Sequence, residues 1–160
     1  MSESNIEKRE VQMNNAEFFP KLIALMDEGH TISLTLRGFS MRPFLEDKRD
    51  TAELKKAVAP QVGEPVLAEI APGKYVLHRL ISHDGEDVVL LGDGNLSPEY
   101  CKYSDIKAQV IGFYRKGRTT MDMVDGKKWK IYSWFWIHLR PIRRYLLAFY
   151  RRWVKYIGPM

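Results

Sequence analysis

Three short segments carry the side chains that could do chemistry together: Gly38-Phe39-Ser40-Met41-Arg42-Pro43, Leu77-His78-Arg79 and Gly92-Asp93-Gly94-Asn95. A serine hydroxyl is a poor nucleophile until a neighbouring base takes its proton, which an imidazole does near neutral pH. A carboxylate that holds the imidazole completes the set, so Ser40 would be nucleophile, His78 base and Asp93 orienter. The alternative from residue types alone is that Ser40 and Asp93 are turn residues and His78 a polar residue on a strand face. His30, His83 and His138 have no partners at metal-ligand spacing, so no metal is assigned and no cofactor is expected. The single cysteine, Cys101, has no base at motif spacing, and alone it excludes an internal disulfide framework, which fits a reducing compartment.

The elements that must position these residues read as follows. Phe18, Leu22, Leu25 and Met26 recur at helical spacing, with Asn14 or Asn15 as cap, Pro20 tolerable only in the first turn and Gly29 as stop. Between His30 and Arg37 the pattern changes to alternation, with Ile32, Leu34 and Leu36 on one side of a half-buried strand. Gly38 allows unusual backbone angles directly after it, and Pro43 prevents helical continuation. Residues Glu46 to Gly63 are charged and irregular and read as a long surface excursion, the most mobile part of the body. Strand-like runs follow at Val66 to Ile70, Lys74 to Ser82, Asp87 to Leu91 and Ile106 to Tyr114. The turn residues Pro72-Gly73, Asp84-Gly85 and Gly92-Asp93-Gly94-Asn95 separate them. The expected fold is therefore a small, antiparallel, mainly β domain with a short amino-terminal helix. Residues 1–13 would form a polar lead, 14–125 the body and 126–160 a helical extension.

With 160 residues, 45% of them hydrophobic and 28% charged, the chain has the composition of one folded domain with room for an appended segment. Its net charge of +5 is unevenly placed. From Lys127 onward there are nine Lys and Arg and no acidic residue, which leaves sixteen basic against twenty acidic residues before it, so the body is negative and the tail strongly positive. On a helical wheel Leu139, Ile142, Tyr145, Leu146, Phe149, Tyr150, Trp153, Tyr156 and Ile157 share one arc. The basic residues, among them Arg143 and Arg144, take the other. Such a helix is suited to an anionic membrane surface, with Arg143, Arg144 and Trp153 as candidate contacts. Docking of the apolar arc on the body explains the pattern equally well, and nucleic acid comes third. The polar residues 1–10 predict no secretory leader, and no run reaches the roughly 18 apolar residues of a simple spanning helix. The expected location is cytoplasmic, peripheral on an inner membrane surface.

The order Gly-x-Ser-Met-x-Pro, then a strand with His-Arg and an aliphatic residue, then Gly-Asp-x-Asn, resembles the signal peptidase and LexA-type serine peptidase superfamily. It is most similar to the endoplasmic-reticulum-type signal peptidases, in which His replaces a Lys base. The resemblance covers about Leu34 to Lys116. It implies Ser40 as nucleophile, His78 as general base, and an acidic partner at Asp93 or, six residues on, at Glu99, where relatives commonly carry Asp. It also implies the Ser40 amide as oxyanion donor, with Met41 and Pro43 at the substrate. The activity implied is hydrolysis of a peptide or protein precursor through an acyl-enzyme; the alternative is a catalytically silent relative that binds a peptide or a membrane. Arg49-Asp50 stands where the family has Gly-Asp, and the Glu46 to Gly63 excursion is polar where membrane-bound relatives carry apolar strands. Neither a helix-turn-helix nor an Ala-Gly or Cys-Gly self-cleavage dipeptide occurs, which argues against a self-cleaving repressor.

Overall fold

In the computed structural model, which describes residues 15–159, helix α1 (Asn15–Asp27) forms where the periodicity places it. The predicted lead, residues 1–13, and Asn14 lie outside the described residues. Pro20 sits on the exposed side of α1, one turn later than expected. Phe19 and Met26 are the buried anchors of the helix, whereas Leu25 is exposed. Phe19 stacks on Tyr75 with ring centroids 4.6 Å apart, which fixes α1 against the strand that also carries His78.

Among the described residues eight strands form one antiparallel sheet: β1 (Ile32–Thr35), β2 (Thr51–Lys56), β3 (Pro65–Ala71), β4 (Lys74–Asp84), β5 (Asp87–Leu91), β6 (Glu99–Lys102), β7 (Ile106–Tyr114) and β8 (Met121–Met123). Their order is β1-β2-β7-β3-β4-β5-β6, with β8 paired to β7. Two apolar clusters flank the sheet. One gathers α1, Met41, Leu45, Leu54, Phe113 and Trp129, and the other Val66, Leu80, Val88, Leu90 and Ile106. The mainly β, antiparallel character expected from the sequence is therefore present.

The Glu46 to Gly63 segment is not a loose excursion. Its middle is β2, an interior strand between β1 and β7, with Ala52 and Leu54 fully buried. Only two apolar residues mark the strand, and the charged face that alternates with them hides it. Ser33 donates to Glu53 at 2.5 Å across the β1–β2 pair, so part of that polar face is engaged too.

Asp50 locks the turn before β2. Its buried carboxylate accepts from the backbone amides of Glu46 at 2.9 Å and Lys116 at 3.0 Å, and from Arg49 at 2.7 and 2.8 Å. Burial alone would raise its pKa, but the bonds from Arg49, Lys116 and Glu46 outweigh that and hold it below 3.8. A group depressed on folding adds stability that is present above its unfolded pKa and lost as pH falls through the folded value. Asp50→Ala is therefore expected to cost about 2–4 kcal/mol in urea unfolding at pH 7, with a smaller difference from wild type below pH 4.

After β8 the chain turns helical. Helix α2 (Lys127–His138) ends before a 3-10 turn at Arg140–Ile142 containing Pro141, and α3 (Arg143–Ile157) follows. Pro141 thus marks the break between the aromatic run of α2 and the basic helix α3. Trp129 of α2 enters the first core cluster, 5.0 Å from the Phe113 ring and 4.9 Å from Phe44. Helix α2 therefore belongs to the body's core, although it lies in the part read as an appended extension. Helix α3 docks through Arg143, Leu147 and Tyr150, so of the predicted apolar arc only its Tyr150 edge is buried. Arg143, expected at the surface, is 2% exposed, donates to the Trp136 carbonyl at 2.7 Å and lies over the Trp136 ring. Arg144 and Trp153 are exposed, as a surface role requires.

Candidate active site

Ser40 follows β1 on a tight turn. Gly38 opens it at φ +86°, a left-handed conformation that favours glycine, and donates from its amide to Asp47 at 2.7 Å. The Arg42 amide closes the turn on the Phe39 carbonyl at 3.2 Å. Behind Ser40 lies the Gly92-Asp93-Gly94-Asn95 turn, whose Gly94 amide donates to the Ser40 carbonyl at 2.8 Å. A Cβ on Gly92 would stand 2.5 Å from that carbonyl, and one on Gly94 2.6 Å from the Phe39 carbonyl. Both glycines are needed for this close backbone approach, which joins two of the three segments singled out in the sequence.

Strand parity places the carboxylates. His78 and Arg79 are neighbours on β4, so they face opposite sides of the sheet. Arg79 pairs in register with Leu91, and Asp93 lies two residues beyond Leu91, on the Arg79 side. Leu80 pairs with Leu90 and Leu90 with Glu99, which sets Glu99 on the side of His78. The contacts follow this rule. His78 Nδ1 lies 2.5 Å from Glu99 Oε2, and Asp93 takes Arg79 in a bidentate pair at 2.6 and 2.8 Å.

Asp93 is thus not the orienter of His78. It is fully buried with Arg79, and it joins four pieces of structure. Tyr132 of α2 donates to its carboxylate at 3.1 Å and Trp136 donates to its carbonyl at 3.1 Å. Arg79 also donates to the Gly63 carbonyl at 2.7 Å and to the Ser133 hydroxyl, and its guanidinium lies 5.0 Å from the Trp129 ring. Nothing in the sequence signals that α2 completes the Arg79–Asp93 pair.

Ser40 and His78 line one cavity together with Leu36, Gly38, Met41 and Leu77. The Ser40 hydroxyl makes no hydrogen bond to His78. Met41 lines the cavity, whereas Pro43 lies outside its lining and offers its carbonyl to the Tyr150 hydroxyl at 3.5 Å. Burial is the largest influence on His78 and lowers its pKa below 6.5, overcoming the Glu99 and Asp93 charges that raise it. The imidazole is therefore neutral at pH 7. With Nδ1–H donated to Glu99, its Nε2 is an acceptor, the form a general base requires.

Cys101 stands on β6, two residues beyond Glu99, and burial together with the Asp105 and Glu99 charges pushes its thiol pKa up. It is a thiol at neutral pH and a poor nucleophile. Among the described residues no cluster of three or more His, Cys, Asp and Glu side chains is placed to hold a metal ion. None of the helices there is long and apolar enough to cross a membrane. Comparison with protein-family models and with curated proteins finds no match to this chain.

Proposed function

We propose that the chain is a serine peptidase of signal-peptidase-like character that cleaves a peptide or protein precursor from the cytoplasmic side. The observation that carries this reading is a buried His78, held by Glu99 at 2.5 Å, in the same cavity as Ser40. A LexA-type arrangement of the sheet belongs to the same proposal. Ser40 Oγ attacks the scissile carbonyl carbon as its proton passes to His78. The tetrahedral adduct collapses with cleavage of the C–N bond, and His78 returns the proton to the departing amine. Water then repeats the sequence on the acyl-enzyme and frees Ser40. The Ser40 amide, which no described group accepts from, is the oxyanion donor.

Digestion of a peptide library by the wild type and by Ser40→Ala, read by mass spectrometry, tests this. Cleavage products in the wild-type sample and none in the variant are expected. Equal products from both would end the peptidase reading. Retained peptide binding with no cleavage by either protein would replace it with the catalytically silent binder.

A further inference from the structure

Helix α3 presents three separate faces at roughly 100° per residue. Arg143, Leu147 and Tyr150 form the docked face. Arg144, Arg151 and Lys155 lie on one flank, and Tyr145, Phe149, Trp153 and Tyr156 on the other, with Arg152 between them on the side away from the body. The aromatic flank faces outward: Tyr145 is 68%, Phe149 67% and Tyr156 79% exposed. Helix α2 adds Trp134 and Phe135, both more than half exposed. Single exposed apolar residues are ordinary, but a continuous helical face of large aromatics beside cations marks an interaction surface.

Charge identifies the occupant. Cations are unfavourable at a helix N-terminus, yet α2 begins with Lys127, Lys128 and Lys130, of which Lys128 pairs with Asp122, and the exposed Arg140 and Arg144 flank the start of α3, without an acidic residue in either first turn. An anionic surface reverses that penalty. Aromatic rings with one polar edge suit the boundary between lipid headgroups and acyl chains, and the flanking guanidinium groups reach phosphates there. We infer that the exposed aromatic and basic faces of α3 lie on an anionic lipid bilayer, anchoring the body peripherally without a spanning segment of their own. The Tyr150 hydroxyl at the Pro43 carbonyl ties that helix to the loop carrying Ser40, so the cavity is kept close to the lipid-bound element.

Sedimentation of the full chain with vesicles tests this independently of peptidase activity. Vesicles of phosphatidylcholine with about one-third phosphatidylserine should carry the protein down, and pure phosphatidylcholine should not. Arg151→Gln/Arg152→Gln should weaken binding about thirtyfold, and Phe149→Ser/Tyr156→Ser about tenfold or more, each with unchanged circular dichroism and melting temperature. No sedimentation with the anionic vesicles would overturn the inference, as would variants that bind like wild type. Self-association in sedimentation velocity that the aromatic variant abolishes, without vesicle binding, would assign the face to a second copy of this chain instead. Ser40→Ala should bind vesicles like wild type, which separates failure of this inference from failure of the peptidase reading.

Discussion

The His78→Ala variant is expected to lower kcat/KM on any cleaved peptide by on the order of 10^5-fold, because Ser40 then has no base. Glu99→Gln should retain the fold and lose about 10^3- to 10^4-fold. Its amide can present NH2 to Nδ1 and stabilise the tautomer that carries the proton on Nε2, which cannot accept from serine. The pH profile distinguishes this positioning role from a merely structural one. Wild-type kcat/KM should rise with pH along an acid limb centred below 6.5, since burial depresses His78. Glu99 raises the His78 pKa, so its removal should move that limb still lower. A limb that stays in place in the Glu99→Gln variant would mean that Glu99 does not act on the base. Steady-state kinetics between pH 4 and 8 on the best library substrate provides the measurement, with thermal melting to verify the fold.

The largest effect on stability is expected at Arg79. Arg79→Met leaves the Asp93 carboxylate buried without its cation and should cost about 3–5 kcal/mol in urea unfolding. The pair itself is worth far less than that figure, since both charges lose their hydration on folding. Arg79→Met/Asp93→Asn should therefore recover much of the loss, and a double variant no more stable than the single one would show that packing around Arg79 sets the cost. Tyr132 and Trp136 still donate to residue 93 in each variant, so the comparison isolates the charge.

Much of the site was legible in the sequence because glycine and alternation leave strong local marks. The run Ile106 to Tyr114 alternates through its first half and is β7 with those limits. The two glycine turns beside Ser40 and Asp93 stand where their φ and close approach demand. Strands β2 and β6 were not legible, since Thr51–Lys56 and Glu99–Lys102 carry few apolar residues, and pairing on neighbouring strands fixes them more than propensity does. Glu99 was accordingly named only through the family resemblance and could not be chosen over Asp93. One signal was available: adjacent residues of a strand face opposite ways, so a single carboxylate could not serve both His78 and Arg79. In the tail, the wheel divided apolar from basic residues, but of its apolar arc only Tyr150 is buried, beside Leu147 and Arg143. A helix can dock on the seam between two such arcs, and Arg143 buries its stem and stacks on Trp136 there.

The Asp93 junction also bears on how this protein can be divided. A chain ended at Gly126 would lose Tyr132 and Trp136 from Asp93, Ser133 from Arg79 and the Trp129 ring from the core. Water would enter the ion pair, and the turn whose Gly94 amide holds the Ser40 carbonyl would lose its backing. The helices are thus not a detachable module that could be traded between relatives or trimmed for convenience. A chain without them would have to hold the Ser40 turn in some other way.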